Sequence, residues 1–101
     1  MPTVYVTAPP EAGRELAEQL VEQRHAACVN ILNMHSVYRW EGDVVHDEEV
    51  VLLAKTTADA YDDLESFVQT AHPYDEPCIE RFDEAAVAPS FAEWIRDAVD
   101  A

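Results

Sequence analysis

The sequence predicts an α+β protein that forms one domain over residues 1–101. Stretches in which apolar and polar residues alternate, the period of a β-strand, are interleaved with stretches that carry an apolar stripe at helical spacing. Prolines or short polar turns separate these stretches. The chain has 101 residues, of which 49% are hydrophobic, and this is enough for one compact core.

The first two elements are a strand over residues 3–8 and a helix over residues 11–25. In the strand, valines alternate with threonine and tyrosine, and a Pro-Pro pair ends it. The helix opens on proline and glutamate and closes on arginine and histidine, as the helix dipole favours. Its apolar stripe consists of Leu16, Ala17, Leu20 and Val21.

A long hairpin follows, with strands over residues 28–40 and about 45–56 joined by a turn at residues 41–43. A second helix is predicted over residues 57–71, where a His-Pro pair ends it. A short final strand is predicted over residues 78–82.

The first strand of the hairpin changes the parity of its apolar residues. Val29 and Ile31 have odd numbers, whereas Tyr38 and Trp40 have even numbers. Because side chains alternate strictly along a strand, one continuous apolar face requires an extra residue between the two halves. The pattern therefore predicts a bulge near residues 33–35.

A third helix closes the chain. Pro89 and the capping-box pattern Ser90-x-x-Glu93 open it. The order β-α-β-β-α-β plus a terminal helix is the ferredoxin-like pattern, an antiparallel sheet with helices on one face and with the first and third strands in the centre. The residues of this helix that are expected to point inward are Phe91, Trp94, Ile95 and Val99.

The segment Val50–Ala54 is apolar at both parities, so both faces of this strand are expected to be buried. The two long helices can cover only one face. We expect another subunit to cover the other face; the alternative is that the short C-terminal helix covers it alone.

The chain is strongly acidic, with 21 Asp and Glu residues, 6 Lys and Arg residues and a net charge of −15. Such a charge argues against binding to nucleic acid and to anionic membranes. It is typical of a protein adapted to a salt-rich cytosol, because molar salt screens the repulsion between carboxylates. With no signal-peptide pattern and no long apolar run, the sequence predicts a cytoplasmic location.

The only lysine, Lys55, follows the apolar strand segment and continues the parity of Val51 and Leu53. Two interpretations stay open. Its stem could lie along the sheet while its ammonium pairs with a nearby carboxylate. Alternatively, it could face a cleft and give a small positive spot for an anionic ligand.

The segment from His72 to Cys78 combines an imidazole, a phenol, two carboxylates and a thiol between prolines. Imidazole and thiolate suit copper or zinc, although a helix stop followed by a rigid loop explains the prolines equally well. Cys28 is expected to be a buried thiol, His35 and His46 to be exposed, and Asp47-Glu48-Glu49 to be a solvated face. The sequence shows no Gly-rich phosphate loop and no serine in a nucleophile-elbow context, so we expect no enzymatic activity.

Five motifs along the chain together resemble the CutA-type divalent-cation tolerance proteins. Their order and spacing match over essentially the whole chain. The motifs are Ala26-Ala27-Cys28-Val29-Asn30-Ile31, Tyr38-x-Trp40-Glu41-Gly42, Glu49 through Leu53 leading to Lys55-Thr56, His72-Pro73-Tyr74-x-x-Pro77, and Trp94-Ile95.

The resemblance implies a cytosolic homotrimer, kinship in fold with the PII signalling proteins, and a role in tolerance of copper and other divalent metals, without an organic cofactor. It implies a cleft between subunits lined by Tyr38, Trp40, Lys55, His72 and Tyr74, to which we add Asp75 and Glu76. Cys28 matches a cysteine considered as a copper ligand in the family. The metal candidates are thus Cys28, His72 and Cys78, the last of which stands where the family commonly has glutamate.

Two other functions stay open at this point. The cleft and Lys55 could bind an anionic small molecule, as in a PII-like sensor. The trimer could also be structural and modulate a protein partner.

Overall fold

The computed structural model describes residues 1–100. The elements over these residues are β1 (Pro2–Ala8), α1 (Pro10–Glu22), β2 (Cys28–Trp40), β3 (Asp43–Lys55), α2 (Tyr61–Ala71), β4 (Ile79–Asp83) and α3 (Pro89–Asp100). The strands form one antiparallel sheet in the order β2-β3-β1-β4. The first and third strands are therefore central, and the predicted ferredoxin-like order is confirmed.

The hydrophobic core lies between one face of the sheet and the helices α1 and α2. Val4 is paired with Ala54 and Val6 with Leu52, and all four side chains are fully buried. Because alternate residues of a strand share a face, these even-numbered positions point to the helices. The helices contribute Leu16, Ala17, Leu20, Leu64 and Val68 to the same core.

The odd-numbered residues of β1 and β3 lie on the opposite face of the sheet, which we call the second face. Register places Tyr5 beside Leu53 and Thr7 beside Val51 on it. Val51 is buried and Leu53 is partly buried within the chain itself. The strand segment is thus apolar toward both faces, as the sequence indicates.

The predicted bulge in β2 is wrong. Pairing with β3 continues in one unbroken register from Cys28 opposite Lys55 to Trp40 opposite Asp43. The prediction assumed that one face of the whole strand must be apolar. The outer half of the hairpin extends beyond the core, and Val37 and Trp40, on opposite faces, are 58% and 55% exposed. No burial in the chain therefore forces a change of parity there.

The hairpin turn has two central residues, Glu41 and Gly42, both with positive φ (49° and 88°). This is the backbone of a type I′ turn, whose twist matches that of the flanking strands. Glycine adopts such angles without steric cost, whereas glutamate does not.

Both long helices are shorter than predicted. α1 ends at Glu22 in a Schellman motif: Arg24 has φ 61°, its N–H donates to the Val21 carbonyl, and the N–H of His25 donates to Leu20. α2 begins at Tyr61 because residues 58–60 form a turn, in which the Ala60 N–H donates to the Thr57 hydroxyl.

The packing of α3 differs from the prediction. The helix begins at Pro89, so Ser90 lies inside its first turn and the predicted capping box is not its N-cap. Phe91 and Trp94 are 42% and 48% exposed, and the expectation that they point inward is wrong.

Ile95 and Val99 are the buried residues of α3, and they pack with Met1, Ala27 and Ala60 at one end of the sheet. The helix therefore does not extend over the length of the second face. None of the helices within residues 1–100 is long and apolar enough to cross a membrane.

Candidate functional site

A groove lies on the second face, where the outer half of the hairpin approaches the loop of residues 72–78. Its volume is about 750 Å³. The residues used below that line it are Tyr38, Trp40, Glu49, Tyr74, Asp75, Glu76, Cys78 and Glu80.

His72 holds the loop in place from behind the groove. Its side chain is buried, and both ring nitrogens are engaged: the N–H of Tyr74 donates to Nδ1 over 3.0 Å, and Nε2 lies 2.7 Å from the Thr7 carbonyl. Since a carbonyl only accepts, Nε2 carries the ring hydrogen and donates it. His72 therefore fixes the loop against β1 and has no nitrogen free for a metal in this arrangement.

Two tyrosines donate hydrogen bonds to carboxylates of β3. The hydroxyl of Tyr74 donates to Glu49 Oε2 over 3.2 Å, and that of Tyr38 donates to Asp47. Burial and the neighbouring Glu49 carboxylate raise the pKa of Tyr74 to about 12. The hydrogen bond to Asp47 and partial burial raise the pKa of Tyr38. Both phenols stay protonated at neutral pH and orient the two carboxylates.

Glu49 is only 7% exposed, so the expectation that residues 47–49 form a solvated face is wrong for this residue. Its position opposite Met34 places it on the second face, at the floor of the groove. Counting the register outward from the turn would have placed Glu49 on the second face, because it shares the parity of Val51 and Leu53, but its burial depends on the loop of residues 72–78.

The groove is acidic. Its lining includes Glu49, Asp75, Glu76 and Glu80 and contains neither lysine nor arginine. Carboxylates gathered around a concave surface concentrate negative potential inside it. Such a surface attracts cations and repels anions.

Cys78 brings a thiol into this groove. Its Sγ lies 3.5 Å from Glu80 Oε1, to which the thiol donates. Burial and this bond raise the pKa of Cys78 above its ordinary value. The sulfur is therefore a thiol at neutral pH and becomes a thiolate ligand only when a bound cation displaces its proton.

Lys55 and Cys28 lie at the other end of the sheet. They are paired across β2 and β3, whereas Tyr38 is paired with Val45, ten residues along β3 from Lys55. At about 3.3 Å per residue, that separation is about 33 Å. Within one chain, Lys55 does not lie beside Tyr38, Trp40 and His72, so only a neighbouring subunit could bring it to the cleft between subunits that the resemblance implies.

Lys55 instead belongs to a polar network at its own end of the sheet. Its ammonium donates to the Thr3 hydroxyl over 3.1 Å, and that hydroxyl donates to Glu84. Burial raises the pKa of the Cys28 thiol, although the nearby Lys55 charge opposes this effect.

The structure thus brings Tyr38, Trp40, Tyr74, Asp75 and Glu76 together around one groove, with Cys78 among them. It leaves Cys28 and Lys55 at the far end of the sheet and His72 behind the loop. Within residues 1–100, no three His, Cys, Asp or Glu side chains are arranged as a ready metal-binding group.

The family model described as CutA1 divalent ion tolerance protein matches residues 2–98. The chain belongs to the CutA family. A curated relative, the divalent-cation tolerance protein CutA of Thermus thermophilus, is 43% identical over 96 residues, which is 93% of each chain.

Solved CutA structures share the fold. The Thermus thermophilus protein superimposes with a TM-score of 0.91 at 41% identity, covering 98% of this chain and 99% of that one. A PII-like protein CutA from Nostoc superimposes with a TM-score of 0.95 at 29% identity, covering 98% and 97%. This chain thus has the CutA fold, which is PII-like.

Proposed function

We propose that this CutA chain contributes to divalent-cation tolerance by binding a divalent cation in the acidic groove of the second face. The observation that supports it best is the lining: carboxylates on several elements, one thiol and neither lysine nor arginine. Glu49 is buried and already oriented by Tyr74, so it needs little rearrangement to act as a ligand.

The donor set suits more than one kind of cation. Carboxylate oxygens favour harder ions such as Mn²⁺, whereas the Cys78 sulfur favours copper. We propose copper as the ion that uses both Glu49 and Cys78. Cys28 can join such a site only from a second copy of the chain, because in its own chain it lies at the far end of β2.

We further propose that the protein is a homotrimer. The β2–β3 hairpin, whose outer half extends beyond the core, carries a group of exposed apolar side chains along its length. These are Ile31, Leu32, Val37, Trp40 and Val44. An apolar surface of this kind is typical of an interface between subunits. Sedimentation or native mass spectrometry should give three chains of 11.3 kDa, about 34 kDa in total; a monomer would contradict the proposal.

The cation proposal is tested by calorimetric titration of the metal-free protein with Cu²⁺ and Mn²⁺. Glu49→Gln should lower the affinity for both ions, and Cys78→Ser should lower the affinity for Cu²⁺ more than that for Mn²⁺. Glu93→Gln on α3 removes one charge far from the groove and serves as the matched control. Equal affinities in the Glu49→Gln and Glu93→Gln variants would contradict a groove site.

A second candidate is a PII-like sensor of an anionic small molecule. The groove volume of about 750 Å³ lies in the range of small-molecule pockets. Lys55 would have to enter it from a neighbouring subunit to balance the carboxylates. Titration with a nucleotide should then show binding that Lys55→Ala abolishes, and no binding to the wild-type trimer would exclude this function.

We place the protein in the cytoplasm. Cys28 and Cys78 are both free thiols, which fits a reducing compartment. Fractionation of the source cells tests this location, and recovery outside the cytoplasm would contradict it.

A further inference from the structure

Two histidines meet on the outer part of the hairpin, and one of them, His35, borders the groove. His35 of β2 lies directly opposite Glu48 of β3, and His46 lies two residues nearer the turn on β3. The His35 Nε2 and His46 Nδ1 atoms are 3.1 Å apart, and the His35 Nδ1 atom is 2.7 Å from Glu48 Oε1. All three residues are exposed.

The hydrogen bonds determine where the ring hydrogens lie. A carboxylate only accepts, so His35 Nδ1 carries a hydrogen and donates it to Glu48. In the neutral ring, His35 Nε2 then has a free lone pair. It accepts the hydrogen that His46 carries on Nδ1.

We propose that His35 Nε2 and His46 Nδ1 together bind one divalent transition-metal ion, with Glu48 as the positioning residue. Metal–nitrogen bonds of about 2.0–2.1 Å to atoms 3.1 Å apart subtend an angle of about 95–100° at the metal. That angle lies between the values for square-planar and tetrahedral coordination. The two imidazoles can therefore act as adjacent ligands at this separation once the rings turn so that both lone pairs point at the ion, and water completes the coordination.

Glu48 accepts a hydrogen bond from the His35 ring nitrogen that does not bind the metal, an arrangement common for metal-binding histidines. A carboxylate on the second ring nitrogen fixes the tautomer and the ring orientation and makes the ligating nitrogen more basic. His46 must change tautomer when the ion binds. It releases its Nδ1 hydrogen to water and takes one from water on Nε2, so the neutral ring keeps its charge.

Imidazole nitrogens determine the class of ion. They suit Cu²⁺, Ni²⁺ and Zn²⁺, with Cu²⁺ the tightest, and they do not favour Mg²⁺ or Mn²⁺. The groove proposed above would bind its ion through other residues, Glu49 and Cys78. His35 also borders that groove, whereas His46 and Glu48 do not, so variants of His46 and Glu48 distinguish this site from the groove.

The test is a Cu²⁺ titration of the full-length protein, followed by electron paramagnetic resonance at one equivalent. The spectrum should show coupling to two imidazole nitrogens. His35→Ala and His46→Ala should each remove that coupling, while Mn²⁺ binding stays unchanged.

The variant Glu48→Gln tests whether Glu48 positions the His35 ring or only lies close to it. It should weaken Cu²⁺ binding about 10- to 100-fold, the usual effect of losing an outer partner. Glu41→Gln at the turn removes the same charge from the same hairpin and should have little effect. Circular dichroism checks that each variant folds.

Several results would overturn the proposal. They are a spectrum without imidazole coupling in the wild type, unchanged coupling in both histidine variants, or equal Cu²⁺ affinity in Glu48→Gln and Glu41→Gln. A wild-type Cu²⁺ spectrum that lacks imidazole coupling and changes only in Glu49→Gln would instead assign the ion to the groove.

Discussion

α1 approaches the sheet closely at Gly13, and the replacement of this residue by alanine tests how rigidly the two layers pack. A methyl group built on Gly13 would lie well inside 3.0 Å of Val50 Cγ2, at 3.4 Å from Ala8 Cβ and at 3.9 Å from Leu52 Cδ2. Val50 is fully buried in the central strand β3, so it has no open space to move into.

Two opposing effects set the size of the change. Alanine in a helix interior is favoured over glycine by about 1 kcal/mol. Forcing a methyl group into a close-packed core costs about 1–3 kcal/mol. We therefore expect Gly13→Ala to lower the free energy of unfolding by up to about 2 kcal/mol.

A double-mutant cycle with Val50→Ala isolates the clash, because that variant removes the Cγ2 atom. In the Val50→Ala background, Gly13→Ala should stabilise the protein by up to about 1 kcal/mol, which is the helix propensity alone. Guanidinium unfolding followed by circular dichroism, at one fixed protein concentration, measures all four variants. If Gly13→Ala has the same effect in both backgrounds, the reasoning about the Val50 contact is refuted.

The remaining predictions concern pH, salt and the turn. The pKa of Tyr74 is about 12 in the folded protein and about 10 when unfolded. The folded state therefore binds the proton more tightly, so the free energy of unfolding should be unchanged below pH 10 and should fall between pH 10 and 12. Tyr74→Phe should reduce this fall. The thermal midpoint should rise with KCl concentration, because salt screens a net charge of −15; an unchanged midpoint would contradict adaptation to salt. Gly42→Ala should cost about 1 kcal/mol at φ 88°, whereas Glu41→Asn should not destabilise the turn; thermal melts of both variants decide this.

Side-chain alternation was enough to predict the sheet. The parity of Val4, Val6, Leu52 and Ala54 indicates which face is buried, and the turn at residues 41–43 gives the pairing of β2 with β3. Alternation also led to the wrong bulge, because it was applied to a hairpin end that no helix of the chain covers.

The spacing of apolar residues along α3 predicted only some of its buried residues correctly. Ile95 and Val99 lie four residues apart and both pack inward, whereas Phe91 and Trp94 stack on each other at 5.7 Å and stay exposed. A helix that packs only on the small residues at the end of the sheet buries a narrow stripe. Sequence spacing does not reveal how wide the contacted surface is.

The sequence predicted the site only in part, because a residue pattern does not show which distant residues meet. Parity places Lys55 on the second face, but it does not show which subunit supplies each residue of the cleft that the resemblance implies between subunits. Glu49 was missed because a run of three acidic residues normally indicates a solvated face. Its burial depends on the loop that His72 holds, which is a long-range contact.

The central claim, that the groove binds a divalent cation, is tested most directly by a crystal structure of the metal-loaded protein with anomalous data. The account predicts an anomalous peak in the groove within bonding distance of Glu49, and for Cu²⁺ also of Cys78. A metal-loaded crystal in which the groove holds no peak would contradict it.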